Sequence, residues 1–161
     1  YQDHSVTLAR HPSESDERMM VRLLAFAVNA DEALSFGAGL CDDEEPDIWL
    51  NDLTGATRLW IELGQPDEKR LKKACSRAER VIVYSYSGNS ANIWWEQLRG
   101  SLSRLNNLTV YKLPAETAAE LAKLAQRTMQ LQCTIQEEQV LLTDGSETVN
   151  VDLAAARCWP A

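Results

Sequence analysis

The chain has 161 residues, 45% of them hydrophobic and 25% charged, enough for one domain with a sizeable core and too few for two. Its net charge of −8 argues against non-specific binding to a polyanion or to an anionic membrane surface. No apolar run reaches the roughly 20 residues a bilayer-crossing helix needs, so no membrane association is expected.

In chain order, His11-Pro12-Ser13-Glu14-Ser15-Asp16 reads as a helix start, with Ser13 able to cap and an acid three residues on. The helix is predicted through Glu17 to Val28, and Ser35 to Leu40, with two glycines, reads as loop. Strands follow around Ile48 and Ile61, joined by the turn-rich Asn51-Asp52-Leu53-Thr54-Gly55, which suggests an antiparallel hairpin. A helix is predicted from Asp67 to Arg80, with Leu71, Ala74, Cys75 and Ala78 at i, i+3, i+4 and i+7 on one buried face. Val81 to Tyr86 reads as a buried strand. A helix over Ser90–Leu105 turns Ile93, Trp94 and Leu98 inward, Leu108–Leu113 is a strand, and Ala115–Arg127 a helix. The tail gives three short strands, Leu131–Gln136, Val140–Asp144 and Thr148–Leu153, with Asp144-Gly145 as a turn. Helices alternating with strands predict a mixed α/β domain over 1–161, one central sheet with helices on both faces.

The cysteines, Cys41, Cys75, Cys133 and Cys158, show neither CxxC nor zinc-finger spacing, so reduced thiols in a cytoplasmic setting are expected. His4 and His11 have no serine or cysteine partner at a readable spacing, which argues against a Ser/His or Cys/His hydrolase. No glycine-rich phosphate loop is present, so no nucleotide cofactor is expected. Trp94-Trp95 suits core packing better than base stacking.

The acids carry more. Asp47 precedes Ile48-Trp49-Leu50, and Glu62 lies inside Leu59-Trp60-Ile61-Glu62-Leu63. If Trp49 opposes Trp60, Asp47 opposes Glu62 on one face, an unfavourable like-charge pair unless a cation lies between them. A hard ion such as Mg²⁺ takes one or two carboxylates plus water and substrate oxygens. Glu17 shares a helix face with Met20, Val21, Leu24 and Val28, at the edge of the core. Glu14, one turn earlier, is explained by its place at a helix start. Lys72 and Lys73 follow on the next helix, where either would neutralise charge on a phosphate. They belong to a basic cluster, Lys69, Arg70, Lys72, Lys73, Arg77 and Arg80, set against an acidic run, Asp42, Asp43, Glu44, Glu45 and Asp47. The plainer alternative is that these acids are solvated at strand ends and the lysines lie on the surface.

The stretches VTLARHPSESDERMMVRLLAFA, DEEPDIWL, LWIELGQPDEKRLKKAC, NIWWEQ and RTMQLQCTIQ resemble the bacterial YaeQ family over nearly the whole chain. The resemblance implies a restriction-endonuclease-like fold of the PD-(D/E)XK superfamily, with a further N-terminal strand preceding Tyr1. It implies that Asp47, after Pro46, is the motif aspartate, Glu62 the second acid and Glu17 the helical acid, around Mg²⁺ or Mn²⁺. Gly64 stands where that motif has lysine, so Lys72 or Lys73 would have to supply the charge. Two functions follow as expectations: a Mg²⁺-dependent nuclease acting on DNA or RNA, or a non-catalytic module of the same fold that binds nucleic acid or a protein partner.

Overall fold

The computed structural model describes residues 8, 10, 14–38 and 44–160. The expectations for His4, His11, Ser13, Cys41, Asp42 and Asp43 lie outside the described residues. The element order is α1 (Asp16–Val28), β1 (Leu34–Phe36), β2 (Ile48–Asn51), β3 (Thr57–Leu63), α2 (Glu68–Arg77), β4 (Ala78–Ser85) and α3 (Asn89–Leu102). There follow β5 (Leu108–Lys112), α4 (Ala115–Lys123), β6 (Gln132–Gln136), β7 (Gln139–Thr143), β8 (Thr148–Asp152), α5 (Leu153–Ala156) and β9 (Arg157–Trp159).

Six strands form a central mixed sheet in the order β1-β2-β3-β4-β5-β9, and β6-β7-β8 form a separate antiparallel sheet. The expectation of one sheet is therefore corrected: the β-rich tail folds on itself and packs as a layer. Strands β3, β4 and β5 run parallel, while β1-β2, β2-β3 and β5-β9 are antiparallel. The helices between the parallel strands, α2 and α3, cover one face. Their Leu71, Ala74, Ala91, Trp94, Trp95 and Leu102 pack with Trp60, Val81, Val83 and Val110. The other face carries α1, α4 and the second sheet, where Met20, Leu24 and Leu121 join Ile48, Ile61, Ile82, Tyr84, Val140 and Val151. Alternation along β3 explains the split, because Trp60 and Glu62 point one way and Ile61 and Leu63 the other.

Ser15 caps α1, its side chain accepting from the Arg18 N–H at 3.1 Å. Three local expectations change. The second helix stops at Arg77 and Ala78 already pairs with Thr57 in the parallel ladder, where Asn107 takes the Cys75 and Ala78 carbonyls. On α3 the buried stripe is Ala91, Trp94, Trp95 and Leu102, which leaves Ile93 52% exposed. Leu34–Phe36, expected to be partly loop, pairs with β2, and Arg157–Trp159 closes the far edge. Both are three-residue edge strands, too short for a periodicity to show.

No helix among the described residues is long and apolar enough to cross a membrane. Cys75, Cys133 and Cys158 are free thiols, half-buried. The two isoleucines make a direct check of the layers. Ile61→Ala, fully buried in a central strand, should cost about 2–5 kcal/mol in urea unfolding. Ile93→Ala should stay within about 0.5 kcal/mol; an equal loss at both positions would contradict the orientation of α3.

Candidate functional site

The carboxyl ends of β3 and β4 gather the chemistry. Trp49 pairs with Trp60 and Ile48 with Ile61, so one step further along that register Asp47 stands opposite Glu62. Both side chains are buried at 4% exposure. Two local features place Asp47. Gly37 N–H donates to the Asp47 carbonyl at 3.0 Å, and a Cβ at Gly37 would come within 2.2 Å of the Pro46 oxygen, so only glycine lets the chain pass. On the other side, the Leu63 N–H donates to Asp47 Oδ2 at 2.9 Å.

Each acid is held by an arginine. Arg18 Nη2 donates to Asp47 Oδ1 at 2.5 Å, and its Nη1 to Glu14 Oε2 at 2.8 Å. Glu14 Oε1 in turn accepts from Arg22 Nη2 at 2.8 Å. Arg70 Nε donates to Glu62 Oε1 at 2.8 Å and Nη2 to the Glu45 carbonyl at 2.8 Å. The same Glu62 oxygen accepts the Trp60 indole N–H at 2.8 Å. Three buried carboxylates thus meet three arginines, as burial of charge requires.

Electrostatics follows from this arrangement. Burial pushes the Glu62 carboxyl up to about 7, against Arg70 beside it, with Asp47 adding to the rise. Burial pulls the Arg18 guanidinium down, but Asp47 and Glu14 outweigh it, and its pKa lies above the usual value. Tyr86, just past β4, is raised by its burial, with Arg18 opposing and Asp47, Glu14 and Glu17 adding to the rise.

Of the residues singled out in the sequence, Asp47 and Glu62 come together. Glu17 is half-buried and close enough to act on Tyr86. The buried acid near the start of α1 is Glu14, not Glu17, and it makes ion pairs rather than serving only as a helix-start residue. Lys72 pairs with Glu68 at 2.6 Å one turn away, and Lys73 with Glu44 at 2.5 Å, which also binds Arg77. Both lysines form these ion pairs away from Asp47 and Glu62, and Arg70 is a cation at Glu62. Sequence reasoning did not assign Arg18, Arg22 or Arg70 to Asp47, Glu62 and Glu14. The signal available was the placement of arginines early in α1 and α2. Among the described residues no three His, Cys, Asp or Glu side chains converge as a metal cluster.

Fold and site define a mixed α/β protein with a buried, arginine-compensated acidic cluster at the carboxyl end of its parallel strands. The YaeQ protein family profile matches residues 1–153, and the chain belongs to that family. It is 49% identical over 154 residues to "Uncharacterized protein YaeQ" of Escherichia coli (strain K12), covering 95% of this chain and 84% of that one. The corresponding protein of Salmonella typhi is 47% identical with the same coverage. Among solved structures, the YaeQ protein of Xanthomonas axonopodis pv. citri superposes with a TM-score of 0.91 at 45% identity, over 94% of this chain and 86% of that one. That of Pseudomonas syringae gives 0.89 at 36% identity, over 94% and 84%.

The site makes stability depend on pH. The folded Glu62 carboxyl titrates near 7, against 4.5 as its ordinary value, so between these pH values the folded chain holds a proton that the unfolded chain has released. Its contribution is fully present below about 4.5 and is lost as pH rises through about 7. Urea unfolding in EDTA should therefore show wild type losing stability relative to Glu62→Gln across that window. A constant difference would contradict the raised pKa.

Proposed function

We propose that this chain is a variant PD-(D/E)XK, restriction-endonuclease-like domain that hydrolyses phosphodiester bonds of DNA or RNA with Mg²⁺ or Mn²⁺. The observation that carries this reading is the burial of Asp47, just before β2, near Glu62 in β3, at the carboxyl end of the parallel strands, where open α/β sheets bind ligands. The donor chemistry fits a hard divalent ion, which needs only one or two carboxylates and keeps its remaining positions for water and substrate. The Glu62 carboxyl is raised mainly by its burial, with Arg70 opposing and Asp47 adding to the rise. Asp47 and Glu62 would hold the ion, which supplies a nucleophilic water and charge stabilisation at the phosphate.

The surrounding residues serve that arrangement. The Leu63 N–H and Arg18 fix the rotamer of Asp47, and the Trp60 indole N–H fixes that of Glu62. Gly64, in the place of the motif lysine, has φ +88° and open space around its missing Cβ.

One observation favours a second reading, a non-catalytic module of the same fold that binds nucleic acid or a protein partner. Asp47 already spends one oxygen on Arg18 and the other on a backbone N–H, and Lys72 and Lys73 are paired elsewhere. Thermal melts separate the two. Millimolar Mg²⁺ or Mn²⁺ should stabilise wild type over its EDTA form, by about 2.7 kcal/mol at a hundredfold excess over the dissociation constant. Asp47→Ala and Glu62→Ala should abolish the shift, and metal-dependent cleavage of single- or double-stranded DNA or RNA should accompany it. A shift without cleavage would favour the binding module, and identical melts with nucleic acid present would overturn the metal reading.

A further inference from the structure

Tyr86 follows the last residue of β4, at the carboxyl end of the parallel strands where Asp47 and Glu62 lie. The backbone leading to it is fixed from both neighbouring strands. The Gly64 N–H donates to the Tyr84 carbonyl at 2.9 Å, and the Leu113 N–H to the Ser85 carbonyl at 2.8 Å. The Tyr86 ring packs on the core face that Ile82 and Tyr84 share with α1. Its hydroxyl has no hydrogen-bond partner among the described residues and is not sealed from solvent. Packing, not a hydrogen bond, therefore sets its orientation. Tyr84 shows the contrast, because its hydroxyl accepts from Asn29 Nδ2 at 3.0 Å.

The surroundings of the Tyr86 hydroxyl are those of the candidate site: Arg18, Asp47, Glu14 and Glu17 all act on it. Burial raises the phenol first, and the three acids add to the rise against Arg18, so the group keeps its proton at neutral pH and remains a donor. A donor held in place by its ring contributes to binding with little further loss of side-chain freedom. Carboxylates this close repel a free anion, whereas a phosphate oxygen that arrives with a divalent ion brings its own compensation. Other donors are committed or missing. Arg18 is bonded to Asp47 and Glu14, Lys72 and Lys73 pair with Glu68 and Glu44, and Gly64 has no side chain.

Building on the metal-dependent phosphodiester reading above, we infer that the Tyr86 hydroxyl is a substrate-binding group, donating to a non-bridging oxygen of the phosphodiester that the ion holds beside Asp47. It touches substrate and not the ion, so its loss weakens nucleic-acid binding and leaves ion binding intact.

Tyr86→Phe removes the hydroxyl and keeps the ring. Tyr111→Phe is the matched control, since its phenol is acted on by Glu138, Arg157 and Arg80 and by none of the four groups around Tyr86. Folding of both is checked by circular dichroism and by melting in EDTA, where both should match wild type. Fluorescence anisotropy then gives the affinity for short single-stranded DNA and RNA of one mixed sequence, with Mg²⁺ and, to read binding without turnover, with Ca²⁺. Tyr86→Phe should bind about tenfold more weakly than wild type, the worth of one hydrogen bond to a charged group. Its melting shift with Mg²⁺ alone should stay that of wild type, and Tyr111→Phe should change nothing. Fluorine NMR of wild type carrying 3-fluorotyrosine at its four tyrosines reads the contact directly. The resonance missing from Tyr86→Phe should move when oligonucleotide is added.

A folded Tyr86→Phe that binds both oligonucleotides like wild type overturns the inference, and loss of binding in Asp47→Ala would still uphold the metal site. Weaker binding by Tyr86→Phe that persists in EDTA, with Asp47→Ala binding like wild type, supports the phosphate contact and overturns the metal reading. A Tyr86 resonance that stays in place at saturating oligonucleotide overturns the contact. Absence of wild-type binding with either ion does the same, and a Mg²⁺ melting shift abolished by Asp47→Ala would then leave the metal site standing alone.

Discussion

Arg18 spans the gap between the first turn of α1 and the start of β2, and the arrangement of the buried acids depends on that span. Its two terminal nitrogens reach two carboxylates, Glu14 beside the helix start and Asp47 at the hairpin end. Both acids are 4% exposed, and Arg18 offsets part of the cost of burying them. Through Glu14 the link continues to Arg22, whose guanidinium lies over the Phe36 ring of β1 at 5.3 Å. One chain of charges therefore joins α1 to both strands at the β1 edge of the sheet. Removing one member of such a buried set is costly because its partner is left uncompensated, by about 3–5 kcal/mol for a single pair.

The backbone prepares what the arginines complete. The Gly37–Pro46 approach brings β1 against the entry to β2, and the turn at Gly64, with its N–H on the Tyr84 carbonyl, ends β3 just past Leu63. That geometry fixes Asp47 between the Leu63 N–H and Arg18 and leaves Glu62 between Trp60 and Arg70. The Trp94 indole, bonded to the Pro66 carbonyl at 2.7 Å, ties the following loop to α3, so the strand end and the start of α2 keep their spacing. The same loop is joined to α3 again by Gln65 and Ser90 at 2.8 Å.

Much of this frame was legible in the sequence because it is local. The Trp49–Trp60 register, assumed from the sequence, is the observed one, and extended by one residue it puts Asp47 opposite Glu62. What compensates the acids was not legible, because Arg18 lies 29 residues from Asp47 and no spacing rule connects them. Arg70 and its neighbours Lys72 and Lys73 read alike as members of one basic helix, and only the fold distinguishes the residue turned toward the sheet. Ile93 misled because two tryptophans beside it set the buried stripe one position along. The separate β6-β7-β8 sheet was hidden for another reason, since short strands reveal their alternation but not which sheet they join.

The central claim is that Arg18 and Asp47 are energetically coupled across the boundary between α1 and the sheet. A double-mutant cycle with Arg18→Met and Asp47→Asn, followed by urea unfolding at neutral pH in EDTA, measures that coupling directly. The account gives a coupling of at least about 2 kcal/mol, with the double variant less destabilised than the sum of the single ones. Additivity within about 0.5 kcal/mol would contradict it, and the buried acids would then have to be held by something other than their arginines.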